Sequence, residues 1–258
     1  TLLLNPGGPW VTPLLMDPSN HNTIYIGLSN VRKSTTGGTT WSSLGVDGRD
    51  DMAIGTNNVN RIYVANNTVI QMSSNGGSTW TNISSGLPTG RNITSITVNP
   101  DYSLDVWVTL DGFASGQKVY RSTNAGTTWT NVSGTLPNVA VNCIAYSDHN
   151  GSPNDALYLG TDIGMFYRDD DIGDWVYFSN GLPVVPVFDI EVYEASNRVY
   201  AITHGRGIWK STLYSSCPTS YGLTQANDPS NSNYTGIQEY EASNYITSSR
   251  VITGGTGT

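Results

Sequence analysis

One eight-residue pattern recurs along the chain and ends each time in tryptophan. The copies read STTGGTTW (34–41), SSNGGSTW (73–80) and STNAGTTW (122–129). Their tryptophans are 39 and 49 residues apart, and Trp175 follows after another 46 residues. Self-similarity at a period of forty-odd residues is the signature of a repeated structural unit. The chain must therefore fold as a series of similar elements.

Short segments of alternating apolar residues precede these copies. They read NTIYIG (22–27), NRIYVA (60–65), LDVWVTL (104–110), DALYLG (155–160) and NRVYAI (197–202). A second apolar segment follows each one, and Leu-Pro pairs at 87–88, 136–137 and 182–183 separate the repeats. Alternation at period two with β-branched and aromatic residues predicts strands, and no sustained helical stripe competes with it. We therefore expect almost no helix.

The order of segments predicts an all-β fold, a β-propeller of four-stranded antiparallel blades. We assign the blades to residues 10–45, 46–88, 89–137, 138–183 and 184–212, the last without its outer strand. Residues 1–212 form the propeller region, 213–235 a polar linker, and 236–258 the start of a C-terminal β-rich module. Four or five blades are present, and we expect them to belong to a larger propeller.

The repeated turn has a physical reason to end in tryptophan. The first serine and the Thr or Asn two positions later carry side chains that can bond nearby backbone groups and close the loop. Glycine at the fifth position, Gly38, Gly77 or Gly126, supplies a backbone with positive φ. We expect the indole to fold under the turn and to bury its ring between neighbouring sheets. Its role is then structural.

The pattern resembles the Asp-box, or BNR repeat, of β-propellers in sialidases, xyloglucan-active glycoside hydrolases, sortilin-like receptors and secreted bacterial proteins. The matching positions are Ser34, Gly38, Trp41, Ser73, Gly77, Trp80, Ser122, Gly126 and Trp129, whereas the acidic position holds Thr36, Asn75 and Asn124. The copy before Trp175 is one residue short. The resemblance implies a scaffold and no particular activity.

Two further segments resemble parts of larger proteins. WVTPLLMDPSNHNTIYIG (10–27) is similar to the opening of a blade in large secreted proteins of the Bacteroidetes group. Residues 237–258 resemble a short module near the C-termini of proteins exported by the type IX secretion system. These resemblances imply a fragment of a longer polypeptide.

Composition limits the function classes. The net charge of -8 repels phosphate backbones and anionic lipid, and no apolar run approaches the length of a membrane helix, so nucleic acid and membrane insertion are unlikely partners. Charged residues make up only 12% while hydroxyl and amide residues abound, which is typical of a secreted or cell-surface β protein. Cys143 and Cys217 either form one disulfide or remain separate thiols.

The candidates for catalysis are three aspartates near strand ends: Asp111, Asp162 and Asp189. A glycosidase needs two carboxylates about 5 to 9.5 Å apart across one bond. The competing interpretation of each is a turn-capping or solvated aspartate, which we favour. Arg91 and Arg206 do not complete the arginine triad that a sialidase would need.

The sequence offers little for a metal. His21, His149 and His204 are scattered and have no partner at ligand spacing. Asp169, Asp170, Asp171 and Asp174 could supply oxygens to Ca²⁺, but an exposed acidic turn explains them as well. We therefore predict no cofactor.

Two functions remain open. The first is a non-catalytic propeller scaffold for adhesion or for binding a glycan or protein ligand at the cell surface. The second is part of a glycoside hydrolase acting on a plant-type polysaccharide, with paired aspartates facing a groove lined by aromatic residues. Trp10, Trp107 and Trp209 are free of the turn pattern and are candidates for such a groove, although blade core is the simpler interpretation.

Overall fold

A computed structural model describes residues 9, 11–148, 155–214 and 224–225. Within this part of the chain the only helical element is a 3₁₀ turn at Glu194–Ser196. None of the described helical residues forms a helix long and apolar enough to cross a membrane. Twenty strands form five four-stranded antiparallel sheets. The predicted fold class, a β-propeller of four-stranded blades, is thus confirmed.

The chain divides into two compact units, residues 1–138 and 139–258, and the first unit holds three blades. Blade 1 consists of β1 (Leu14–Met16), β2 (Ile24–Ile26), β3 (Arg32–Ser34) and β4 (Ser42–Ser43). Blade 2 consists of β5 (Asp51–Ile54), β6 (Ile62–Asn66), β7 (Val69–Ser73) and β8 (Thr81–Asn82). Blade 3 consists of β9 (Ile93–Val98), β10 (Val106–Leu110), β11 (Val119–Ser122) and β12 (Thr130–Asn131). All three match the predicted repeat.

The second unit holds two blades. Blade 4 consists of β13 (Val141–Ser147), β14 (Ala156–Thr161), β15 (Gly164–Asp169) and β16 (Val176–Tyr177). Blade 5 consists of β17 (Val187–Tyr193), β18 (Arg198–Thr203), β19 (Gly207–Thr212) and β20 (Thr224–Gln225). The expectation that the last blade lacks its outer strand is wrong, because β20 pairs with β19. The C-terminal module at 236–258 lies outside the described residues.

Apolar side chains fill the space between successive blades of the first unit. Blades 1 and 2 share a core of Tyr25, Val31, Val46, Met52, Ile62 and Val64. Blades 2 and 3 share a larger core that includes Tyr63, Ile70, Ile83, Ile96 and Val108. The Tyr63 hydroxyl also donates to the carbonyl of Ser103 at 2.7 Å. Because these strands are buried on both faces, their sequences are rich in β-branched and aromatic residues.

The second unit has its own core between blades 4 and 5. Tyr158, Tyr167 and Phe178 pack there, and the Tyr167 ring stacks on Tyr214 with centroids 4.1 Å apart. The backbone N–H of Tyr214 donates to the Tyr158 hydroxyl at 2.7 Å. These contacts hold the chain that leaves blade 5 against the aromatic residues of blade 4.

We call the segments Ser34–Trp41, Ser73–Trp80 and Ser122–Trp129 the Trp turns. In each, the serine hydroxyl accepts bonds from two backbone N–H groups, those of Asn124 (3.3 Å) and Gly126 (2.7 Å) in the third copy. The side-chain oxygen of Asn124 accepts from the backbone of Thr128 at 2.9 Å, while its amide donates to the Thr128 hydroxyl. The turn thus satisfies its polar groups locally, as such side chains do.

The positive backbone φ extends over two positions of each turn. Gly37 (62°), Gly76 (70°) and Ala125 (57°) precede Gly38 (89°), Gly77 (93°) and Gly126 (84°). The sequence analysis assigned this conformation to the fifth position alone, although the fourth shares it. A non-glycine residue pays strain in this region, so Ala125 is the unexpected member.

The tryptophans are half-buried and connect each blade to the one before it. The indole N–H of Trp80 donates to the carbonyl of Leu44 at 3.1 Å, and that of Trp129 donates to the carbonyl of Ile83 at 2.8 Å. Trp41 instead donates to Gly38 in its own turn, at 2.8 Å. The Trp turn therefore contacts the preceding sheet wherever the chain provides one.

The Asn124 network makes a testable prediction. Because an aspartate keeps the acceptor oxygen that Thr128 needs, Asn124→Asp should change the free energy of unfolding by less than about 1 kcal/mol, whereas Asn124→Ala should cost about 1 to 2 kcal/mol. Denaturant titration of the two variants measures both values. Equal destabilisation by the two changes would show that the side-chain oxygen does not stabilise the turn.

Blade 4 replaces the Trp turn with a shorter one. Asp169 ends β15, where serine ends the corresponding strand of earlier blades, and its carboxylate accepts from the N–H of Ile172 at 2.7 Å. The Gly173 N–H bonds back to the Asp169 carbonyl at 3.0 Å. Trp175 is buried, as the repeat requires. The Asp169 carboxylate thus accepts a hydrogen bond from the turn backbone, as the serine hydroxyl does in the Trp turns, although this turn is one residue shorter.

A second serine pattern, before the Leu-Pro pairs, was not recognised in the sequence. Ser84, Ser133 and Ser179 each follow the outer strand of a blade, and their hydroxyls accept from the backbone N–H of the third strand at Ile70, Val119 and Met165. The hydroxyl continues the sheet's hydrogen bonding where the outer strand ends. This explains why the outer strands β8, β12 and β16 are only two residues long.

Candidate functional site

The connection between the second and third strands differs among the blades. Blades 2 and 4 use two residues there, 67–68 and 162–163, and blade 5 uses 204–206. Blade 3 uses residues 111–118 for the same connection. Insertions in a repeat protein concentrate where ligands bind, because loops change without disturbing the stacked core. The long loop of blade 3 is therefore the first place to look for a site.

Hydrogen bonds at the root of this loop fix its position. The carboxylate of Asp111 accepts from the backbone N–H of Asn92 at 2.9 Å and from its side-chain amide at 2.8 Å. The Asp111 N–H donates to the Asn92 carbonyl at 2.9 Å. At the other end of the loop, Asn131 donates to the Gly116 carbonyl at 2.6 Å. The loop is thus tied to the strands on both sides.

A buried lysine supports the loop from beneath. Lys118 is fully buried, and its ammonium group donates to the carbonyl of Gly112 at 2.5 Å. Burial lowers the pKa of Lys118; the nearby charge of Arg91 lowers it further, and that of Asp111 raises it. A buried ammonium group is costly unless other groups stabilise it. The residue therefore needs an explanation beyond packing.

Arg91 lies beside the same loop and is partly exposed. Its Nη1 donates to the Asp111 carbonyl at 3.3 Å. Gly112 has φ 74°, and a Cβ at that position would come within 2.3 Å of Arg91 Nη1. Only glycine therefore allows the guanidinium to lie this close to the loop backbone.

The two cations have no ion-pair partner among the described residues. The ion pairs found there are Arg49–Asp47 and Arg121–Asp105. The Asp111 carboxylate directs both oxygens to Asn92, and its single negative charge, which also acts on Lys118, faces two positive ones. Arg91 and Lys118 therefore create a local positive region on a chain whose net charge is -8.

An exposed aromatic ring completes the arrangement. Phe113 follows Gly112 directly and is 69% exposed. A large apolar side chain held in water on an ordered loop indicates a binding surface when polar groups stand beside it. We call Arg91, Asp111, Phe113 and Lys118 the blade 3 loop site.

The three predicted catalytic aspartates do not form a hydrogen-bonded pair with one another. Asp111 is bonded to Asn92 in the first unit, as described above. In the second unit, Asp162 accepts from the side-chain amide of Asn142 at 3.1 Å, and Asp189 accepts from the backbone N–H of Ile190 at 2.9 Å. Each thus has a turn or strand-end partner.

The structure adds one acidic residue that the sequence analysis did not consider. Glu191 lies two positions after Asp189 on β17, and both are exposed. Partial desolvation raises the pKa of the Glu191 carboxyl, and the charge of Asp189 raises it further. A pair of carboxylates is the minimum that acid–base hydrolysis requires.

The tryptophans proposed for an aromatic groove have other roles where the structure describes them. Trp107 is 1% exposed and lies in the blade core, under the guanidinium of Arg121 at 4.7 Å. Trp209 is half-buried and donates to the carbonyl of Arg206 at 2.9 Å. Trp10 lies outside the described residues. The favoured interpretation of Trp107 as blade core is therefore confirmed, and its alternative role in an open groove is excluded.

The metal and cysteine predictions gain little from the structure. No group of three or more His, Cys, Asp or Glu side chains in the described part of the chain could hold a metal ion. Asp169 accepts a bond from the backbone of its turn. The absence of a cofactor stays a prediction, with Ca²⁺ at the acidic turn as its alternative. Cys143 is buried, and its thiol lies 3.9 Å from the carbonyl of Val187. Cys217 lies outside the described residues, so the pairing question stays open.

Comparison with known proteins identifies the fold. No protein family and no curated protein matches the sequence. Among solved structures, the GH74 enzyme of Niastella koreensis aligns with a TM-score of 0.64 and 18% identity over 83% of this chain and 38% of that one. The GH74 xyloglucanase of Xanthomonas campestris aligns with a TM-score of 0.64 and 15% identity, over 80% of this chain and 36% of that one.

A third similar structure was solved with a bound peptide. YCF48 bound to D1 peptide aligns with a TM-score of 0.54 and 15% identity, over 79% of this chain and 63% of that one. The chain spans 32% to 38% of the length of the GH74 structures it resembles. Sequence identities this low support a similarity of fold and carry no statement about function. The chain is thus similar in fold to the propellers of GH74 glycoside hydrolases.

Proposed function

We propose that this chain is a non-catalytic propeller scaffold of a secreted or cell-surface bacterial protein and that it binds a ligand through the blade 3 loop site. The observation that carries this proposal is the eight-residue loop 111–118, which holds Phe113 in water beside two cations without ion-pair partners. Binding sites combine an apolar surface with a few fixed polar groups in this way.

A glycan is the ligand class that the other observations favour. The structures most similar in fold include glycoside hydrolases, one of them a xyloglucanase. Hydroxyl and amide side chains dominate the composition, and charged residues make up only 12%. The Trp turns and the sequence resemblances support a secreted scaffold of the Asp-box kind within a larger polypeptide. A protein ligand is the competing class, as for YCF48, which binds a peptide.

A second candidate function is glycoside hydrolysis, favoured by the Asp189–Glu191 pair. The raised pKa of the Glu191 carboxyl would suit a general acid, and Asp189 would be the second carboxylate of the pair. Against this function, neither residue lies near the blade 3 loop in the chain, and no aromatic groove is found among the described tryptophans. We therefore rank it second.

A binding and hydrolysis panel separates the two functions. The full chain is passed over immobilised neutral and acidic polysaccharides, and released reducing sugar is measured in parallel. We expect retention without product. Product formation that Glu191→Gln abolishes, with Glu194→Gln as the matched control, would establish the hydrolase instead. If no polysaccharide is retained, the glycan-binding proposal is wrong.

A further inference from the structure

We infer that the ligand of the blade 3 loop site is an acidic polysaccharide, bound through a carboxylate on Arg91 and a sugar ring against Phe113. This inference rests on the proposed binding function and makes it more specific. Three properties of the site support it: the free edge of a guanidinium, the positive potential beneath it, and the neutral polar groups around the ring.

The Arg91 guanidinium has most of its hydrogen-bonding capacity available. Among the described residues, only Nη1 is engaged, through a 3.3 Å bond to a backbone carbonyl. The Asp111 carboxylate accepts from Asn92 and forms no ion pair with Arg91, although its charge still acts on the site. A guanidinium presents parallel N–H groups whose spacing fits the two oxygens of a carboxylate. An incoming carboxylate would therefore meet a preformed partner.

Lys118 acts on the ligand without touching it. Its side chain is fully buried under the loop, where the ammonium group holds the Gly112 carbonyl. The buried charge adds to the potential of Arg91, and the two positive charges outweigh the one negative charge of Asp111, since neither cation forms an ion pair among the described residues. Lys118 is thus a positioning residue, which fixes the loop and makes the site attractive to anions.

The surroundings of Phe113 favour a sugar over a peptide. Ser115 and Gln117 in the same loop and Asn92 at its root are exposed and carry uncharged groups that match hydroxyls. Phe113 is the one strongly exposed large apolar side chain of the loop. A protein interface would present a larger apolar centre, whereas one aromatic face suffices for the apolar side of a sugar ring.

The test compares two polymers with the same backbone and different charge. Polygalacturonate and its fully methyl-esterified form are titrated onto the full chain by calorimetry, and poly-glutamate serves as a non-sugar polyanion. We expect polygalacturonate to bind at least about tenfold more tightly than the ester, because the ester loses the charge-assisted bonds. Raising the salt concentration should weaken this preference.

Variants locate the site. Arg91→Gln should reduce the affinity for polygalacturonate about tenfold. Arg91→Lys should reduce it less, because lysine keeps the positive charge but lacks the paired N–H donors of the guanidinium. Phe113→Ala should reduce the affinity for both polymers about threefold to tenfold. The matched controls are Arg32→Gln on β3 and Tyr102→Ala, whose ring is 51% exposed in the connection between β9 and β10. Both controls should bind as the parent does.

The possible outcomes are distinct. Equal affinity for acid and ester, with Arg91→Gln unchanged, would overturn the acidic-ligand inference and leave glycan binding intact. Binding of poly-glutamate as tightly as polygalacturonate would overturn the sugar assignment. If neither galacturonan binds while a neutral polysaccharide does, the inference fails alone; if no polysaccharide binds, the proposed function fails with it. Thermal melting verifies that each variant is folded. If Arg91→Gln does not fold, the comparison uses Arg91→Lys in its place.

Discussion

Asp105→Asn should lower the free energy of unfolding by about 2 to 3 kcal/mol, because it leaves a half-buried guanidinium without its counter-charge. The Asp105 side chain is 5% exposed and that of Arg121 is 27% exposed. Two bonds join them, from Nε at 2.9 Å and from Nη2 at 2.6 Å. The same guanidinium lies over the buried ring of Trp107, so the change also weakens the packing of that ring. Denaturant titration of the full chain measures the loss.

The chain provides a matched control in its other ion pair. Arg49 and Asp47 are also joined at 2.9 Å, but their side chains are 38% and 27% exposed. Because exposed pairs contribute little, Asp47→Asn should cost less than about 1 kcal/mol. If the two variants lose the same free energy, burial does not determine the strength of the Asp105–Arg121 pair.

Gly126→Ala should destabilise the chain by about 3 kcal/mol, the sum of two separate costs. The backbone there has φ 84°, which costs a residue with a Cβ about 1 to 2 kcal/mol. A Cβ would also lie 2.4 Å from Cδ1 and 2.8 Å from Cβ of Ile83 in the preceding blade, so the core of blades 2 and 3 must shift. Overpacking of this kind costs about 1 to 3 kcal/mol.

Gly38→Ala isolates the backbone cost. Gly38 occupies the same turn position with φ 89°, but the nearest atom to its added Cβ is in its own Trp41 ring at 3.7 Å. We therefore expect a loss of about 1 to 2 kcal/mol from strain alone. A loss as large as that of Gly126→Ala would mean that contact with the preceding blade adds nothing at this position.

Much of the fold could be predicted because its signals are local. Strand alternation, the Ser-to-Trp spacing and the Leu-Pro pairs each depend on residues within one repeat, and the strands of the first four sheets lie within the residue ranges predicted for blades 1 to 4. The prediction failed for β20, whose residues Thr224–Gln225 carry no apolar alternation. The formation of this two-residue outer strand depends on its pairing with β19, and two residues are too few to show a strand pattern in the sequence.

The candidate site was harder to predict because its parts are distant in sequence. Arg91 precedes β9 and Lys118 precedes β11. From the sequence, Arg91 was considered only for a sialidase triad, and Lys118 was not considered. The length of the segment DGFASGQK between two strand patterns was the one available signal, and it was overlooked. The predicted aspartate Asp111 does lie at this loop, bonded to Asn92 at its root.

The sequence by itself determined the repeat, the all-β class and the chemistry of the turns, because periodicity and turn bonding are properties of neighbouring residues. Only the tertiary structure decided that Trp129 bonds to the previous sheet, that Gly126 has no room for a methyl group, and that Arg91 and Lys118 act on one loop. Those facts depend on distances between blades and strands. No spacing along the chain encodes them, because the packing of side chains sets them when the sheets come together.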